Sequence, residues 1–361
     1  MGTRRDSNVE LLRIIMSFGV IVLHINGQEW NILQKATSFN LQSIGIGLLE
    51  VIFSVSVNVF LLIFGYYQVD KNKIEIAKVI NMLMHVIYYN ILFYFVCIFV
   101  GIESFSFYNL IIKCIPFNYY VIIYIAVYLL SPYVNIVITQ LSSDELNKLV
   151  ITVFFICSIE PFSVDILEKI GNHEAYGLSF VSMYGDDGGY TLVNFILMYI
   201  LGAAVRKKEE LGDRWSINIG GIYIFSTVFL VIGFMYSLFK NSLPFLLNYN
   251  NPILIISSIC VLCLFKNINM RRSMAINKIA KATFTIYLVH NYILKILFVL
   301  LSNLKEIQIS AIGIIITGAF VTFVLSYIVY IVFEKPFSVI YSFVNAFIYK
   351  WLNMKWTNRD R

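Results

Sequence analysis

Asn8-Val-Glu10-Leu-Leu-Arg13-Ile-Ile-Met-Ser-Phe-Gly-Val-Ile-Val-Leu-His24-Ile-Asn-Gly27 is a single apolar stretch whose only titratable side chains are Glu10, Arg13 and His24. A helix needs ~17–25 predominantly apolar residues to cross a bilayer. Comparable runs cover residues 10–27, 46–68, 79–101, 117–138, 147–162, 188–205, 217–239, 251–265, 281–301 and 308–333, the fifth and eighth being short for a span. Hydrophobic residues make up 59% of the 361-residue chain and charged residues only 13%, where a soluble domain carries roughly 25%. The deficit extends along the whole chain, so the surface itself must be apolar and the bilayer is its solvent. The reading is all-α: a polytopic transmembrane helical bundle of about ten spans, with the N-terminus and C-terminus both cytoplasmic.

The orientation comes from counting cations. With the N-terminus inside, 21 of the 27 Lys and Arg fall on inner segments and five, Lys35, Lys113, Lys169, Lys240 and Lys305, fall outside; Lys295 lies within a span. Cytoplasmic loops carry this excess. The same distribution disposes of nucleic acid as a partner for the net charge of +6, because the basic residues sit in short segments between apolar runs. The first run follows Arg4 and Arg5 but lacks a small-residue cleavage site, so it reads as a retained helix. Residues 1–337 form the membrane-embedded domain. Residues 338–361, with Phe343, Phe347, Tyr349, Trp351 and Trp356 among Asn and Lys, read as an amphipathic cytoplasmic tail on the inner membrane surface. The longest outer loop, about 163–187, is acidic, and Asp186 and Asp187 beside Gly188-Gly189 are candidates for contacting sugar hydroxyls, although a solvated turn explains them as well.

Ionisable residues inside spans are costly, which makes each a functional candidate. Arg13 and His24 are 11 residues apart, so they differ by only ~20° around the helix and by ~16 Å along it. A cation at the inner rim suits an anionic ligand, and a deep neutral His suits proton transfer. The alternative is an Arg that snorkels to headgroups and a His bonded between helices. Glu10 shares that face. Lys78 and His85 share a face of the third span, His85 reading as an interhelical bond. His290 sits where polar groups gather in Thr283-Phe-Thr-Ile-Tyr-Leu-Val-His290, and Glu334 lies just after the tenth span. Cys260-Val-Leu-Cys263 has redox spacing but reads as helix packing. No metal site is expected from four histidines on separate segments.

In this order the segments resemble the acyltransferase 3 family of integral membrane acyltransferases, over about residues 5 to 337. Asn8 to Arg13 with His24 is similar to the first-span motif of the family, Asn58 to Gly65-Tyr66 to its second, Tyr124 to Asn135 to its fourth, Gly189-Tyr190 through Gly202 and Arg206-Lys207 to its sixth, Thr283 to His290 to its Tyr-Leu-Ile-His segment, and Phe333-Glu334-Lys-Pro336 to its last. Three positions depart from it: Phe64 stands where Ser precedes Gly-Tyr, Asn118-Tyr-Tyr-Val-Ile replaces a Trp-bearing segment, and Lys78 and Asn81 stand where many members have paired Arg. The resemblance implies acyl transfer, usually of acetyl, from cytoplasmic acyl-CoA (acetyl-CoA as donor) to a hydroxyl of a surface glycan or lipid-linked sugar, in the bacterial plasma membrane. His24 would be catalytic, as base or acyl relay, and Arg13, with Lys78, would hold CoA. The alternative is export of a polysaccharide or lipid-linked sugar without acyl transfer.

Overall fold

All ten apolar runs become helices in the computed structural model, which describes residues 6–36, 39–171, 176–182, 187–211, 218–239, 245–302 and 310–357. They are α1 (Ser7–Gly27), α2 (Leu41–Gln68), α3 (Ile76–Phe99), α4 (Tyr119–Gln140), α5 (Ser143–Lys169), α6 (Leu192–Glu210), α7 (Ile219–Phe239), α8 (Pro252–Asn267), α9 (Met274–Leu301) and α10 (Ala311–Thr357). Among the described residues eight of these are long and apolar enough to cross a membrane. The exceptions are α8, which has only 16 residues, and α6, which ends in Arg206-Lys-Lys-Glu-Glu210. The fifth run, short by hydropathy, lies inside the 27-residue α5. Ser142 and Glu145 start α5 with a capping box, ahead of the apolar stretch;. Helix α5 also carries into the expected outer loop. Asp186, His173 and the side chain of Asp187 lie outside the described residues.

Side chains supply what the backbone lacks at helix ends. Asn40, Asn118, Thr191, Asn251 and Ser273 each accept a bond from a first-turn N–H;. Inside α4, Pro132 cannot bond the carbonyl of Tyr128, and the Ser131 hydroxyl donates to that carbonyl instead, at 2.8 Å;. Helices α2 and α6 touch backbone to backbone: a Cβ on Gly65 would lie 2.1 Å from the Tyr199 carbonyl oxygen, and one on Gly202 would lie 2.1 Å from that of Leu62. Small residues allow such approach where lipid offers no hydrophobic drive between helices. Outward-facing Phe225, Ile232, Phe320 and Ile331 are exposed mid-helix, as in a bundle solvated by lipid;.

Contacts define two ends. The near end, where α1 begins, gathers the last turns of α2, α6 and α8 and the start of α9. Lys266 Nζ is 3.6 Å from Asp6, the Tyr67 hydroxyl donates to Asp6 at 2.8 Å, Tyr66 donates to Glu209, and Ser7 donates to Asn277 at 3.1 Å. The far end gathers the last turn of α1 and the starts of α4 and α6. Helix α10 continues through Pro336 to Thr357, and Tyr341 donates to the Ala77 carbonyl of α3 at 2.9 Å.

Candidate active site

A cavity of about 490 Å³ opens at the far end. His24 of α1 and Gln28 just past its end, Glu50 and Ser54 of α2, Asn118 to Tyr120 at the start of α4, Tyr190 and Phe195 around the start of α6, Asn248 and Tyr249 before α8, and Tyr287 of α9 line it. The walls are mostly aromatic and aliphatic, with a few converging amides, hydroxyls and one carboxylate, the usual make-up of a ligand site.

His24 stands in the cavity wall with Gln28, one turn on, within bonding reach of its ring. His290 lies against it: the two rings meet edge to face with centroids 4.8 Å apart. His290 Nδ1 donates to the carbonyl of Tyr287 at 2.6 Å, with that of Ile286 at 3.2 Å. Tyr287 in turn donates its hydroxyl to Asn118 at 3.1 Å, so α9 and the start of α4 are held together beside the histidines. Glu50, the only charged residue in the run 46–68, accepts a bond from Asn26 Nδ2 at 2.9 Å. Tyr249 sits in the loop before α8 and its hydroxyl accepts from Tyr190 at 3.2 Å. Burial holds the Tyr249 hydroxyl well above the ordinary phenol range, so it stays protonated;.

Arg13 is elsewhere on the same helix, towards the near end. It bonds Glu10 at 3.2 Å while its side chain stays 29% exposed. Its charge reaches Tyr67, Tyr120, Tyr124 and Lys78. Lys78 lies over the ring of Tyr128, 4.6 Å from its centroid, with Lys71 also close enough to act on it. The structure therefore brings Arg13, Lys78 and Glu10 into one near-end group, and His24 and His290 into one far-end group. Glu334 joins neither: it lies 3.7 Å from Nε2 of His85, whose Nδ1 donates to the Asn81 carbonyl at 2.9 Å. That pair ties α3 to α10.

Between the two groups runs a series of rings. Tyr120, Tyr124 and Tyr128 recur every fourth residue on α4, about 12 Å from first to last. Tyr120 contacts Tyr287 at 5.1 Å in the cavity wall, Tyr124 packs on Phe64 at 4.3 Å, and Tyr128 carries Lys78. Phe64, the residue that departs from the second-span pattern, is thus part of this wall. Glu50 and the tyrosine series are the two features that sequence reasoning passed over. A lone acid in an apolar run and a four-residue tyrosine spacing were the signals available for them.

Such an arrangement can transfer a proton at one end and bind an anion at the other. A family model described as an acyltransferase domain, acyltransferase 3, matches residues 6–331. No curated protein and no solved structure matches the chain. With nearly its whole length inside that match, the chain belongs to the acyltransferase 3 family and is a multi-pass membrane acyltransferase.

Proposed function

We propose that this protein takes an acyl group, most simply acetyl, from cytoplasmic acyl-CoA and places it on a hydroxyl of a cell-surface polysaccharide or its lipid-linked precursor, in the bacterial plasma membrane. The observation that carries this reading is the separation along α1 of Arg13, whose charge acts on Lys78 of α3 at the near end, from His24 in the far-end cavity. The excess of Lys and Arg at the near end supports placing it in the cytoplasm;.

The residues present fit such a donor. Arg13 and Lys78 offer cationic donors for phosphate, Arg with fixed geometry and Lys as a point charge. The rings from Tyr128 to Tyr120 give a weakly polar wall over the distance that separates the cations from His24. At the cavity, His24 Nε2 takes the proton of the acceptor hydroxyl as its oxygen bonds the acyl carbon. His24 then returns that proton to the departing thiolate as the carbon–sulfur bond breaks. Asn118, Asn248, Tyr190 and Tyr249 supply amides and hydroxyls suited to sugar hydroxyls, and the tyrosine faces suit stacking against a sugar ring.

The test measures O-acetyl on purified surface polysaccharide from an intact strain, a deletion strain, and the deletion complemented with His24→Ala. The expected result is loss of acetyl on deletion, not restored by His24→Ala although the variant reaches the membrane. Unchanged acetyl with polysaccharide lost from the surface or stalled inside would favour export instead. Epitope tags near Lys208 and Arg271 are expected on the cytoplasmic side and one near Glu174 outside.

A further inference from the structure

Each ring of the His24–His290 pair has one buried nitrogen without a hydrogen-bond partner among the described residues: Nδ1 of His24 and Nε2 of His290. The second ring has its tautomer set by the backbone. His290 Nδ1 faces the carbonyl oxygens of Tyr287 and Ile286, at 2.6 and 3.2 Å. Carbonyls only accept, so Nδ1 carries the proton. A neutral imidazole has one N–H, which leaves Nε2 with a bare lone pair. His290 is 2% exposed, so water outside the bundle does not satisfy that lone pair. The adjacent ring, 4.8 Å away between centroids, is the group able to do so.

We infer that His290 is the positioning residue for His24: a turn of the His24 ring brings its Nδ1–H onto the open Nε2 of His290 and leaves His24 an unprotonated Nε2 on the cavity side, where the Gln28 amide can donate to it until the acceptor hydroxyl takes its place. This rests on the reading of His24 as the base. The Nδ1 proton stays on His24 throughout. The proton in motion passes from acceptor hydroxyl to Nε2 and on to the thiolate. His290 thus orients the base as a buried carboxylate does in a Ser-His-Asp triad, while adding no charge to an apolar span. Asn or Gln in its place could accept the same bond, whereas an apolar residue could not.

The experiment uses the full chain, purified in detergent with ¹⁵N-labelled histidine, the His24 signals being assigned by their loss in His24→Ala. Two-bond ¹⁵N–¹H couplings are expected to report Nδ1–H on His24 in the wild type and a mixture or Nε2–H in His290→Leu. In acyl transfer, His290→Leu is expected to lower kcat on the order of 10²-fold with the donor KM within about twofold, and His290→Gln to stay within about tenfold of wild type. The inference is overturned by an unchanged His24 tautomer in His290→Leu, or by a Gln variant as impaired as Leu. If His290→Leu does not fold, the tautomer in His290→Gln decides, Nδ1–H supporting the inference and Nε2–H overturning it. The tautomer needs no turnover to be read. A wild type with Nδ1–H that transfers no acyl group would therefore remove the proposed function and leave the pairing standing.

Discussion

At the near end of the bundle Asp6, Tyr66, Tyr67, Arg206, Glu209 and Lys266 bond one another, whereas at the far end Asn26 Oδ1, His24 Nδ1, Asn194 Oδ1 and His290 Nε2 are buried without a hydrogen-bond partner among the described residues. Both ends are polar, and the difference lies in how far that polarity is compensated. The near-end groups come from the ends of α1, α2, α6 and α8, and their partners are each other. The far-end groups surround a cavity. A buried polar atom left unpaired costs about 1–3 kcal/mol, so a fold that keeps several around one space holds them for something other than stability. Arg13 and Lys78 stand apart from the near-end network, Lys78 over the ring of Tyr128 and the charge of Arg13 within reach of Tyr124, on the series of rings that leads towards the cavity.

The comparison breaks most sharply at His24. In a purified assay His24→Ala is expected to lose at least ~10³-fold in acyl transfer, the range for removing a general base, with unchanged thermal stability. Activity within tenfold of wild type would make the cavity a binding pocket and move the chemistry elsewhere. Arg13→Gln is expected to raise the donor KM about 10- to 100-fold with a smaller change in kcat, since a charge-assisted bond to phosphate acts in ground and transition states alike. An effect confined to kcat would place Arg13 with the far-end chemistry.

The fold was legible because hydropathy acts locally. Each run of apolar residues is a helix, and the 100° periodicity put Arg13 and His24 on one face before any contact was known. Helix ends were less legible: α5 begins at Ser143 because of its capping box and continues to Lys169, so the apolar run of 147–162 marks its most apolar part rather than its length. The half of the candidate site on α1 was visible for the same local reason. The rest needed contacts between distant segments. Glu50 looks like an isolated acid until Asn26 is found against it, and His290 gains a role only when its ring meets His24. Gly65 and Gly202 belonged to recognisable segments, yet only the crossing of α2 and α6 explains why neither position has room for a Cβ.

Glu50 sharpens the far-end half of the comparison. Glu50→Gln keeps an oxygen for Asn26 to bond but removes the carboxylate from the cavity wall. If that carboxylate bonds the acceptor, the acceptor KM is expected to rise about tenfold, equivalent to ~1.4 kcal/mol, while the donor KM stays put. A variant that loses folded protein without changing KM would instead put Glu50 with the compensated groups.

The smallest effect belongs to the near-end network. Tyr66→Phe removes the hydroxyl that donates to Glu209 and faces Arg206 at 3.5 Å, but it keeps the ring over which Lys266 lies at 4.6 Å. Glu209 and Arg206 are near enough to the helix ends to find water, so the loss is expected to be about 1 kcal/mol or less, seen as a small drop in thermal stability in detergent. Acyl transfer is expected to stay within twofold. A large loss of transfer with intact stability would mean that the near-end clamp also sets the geometry around Arg13. The contrast between a compensated end and a reactive end would then give way to one network running the length of α1.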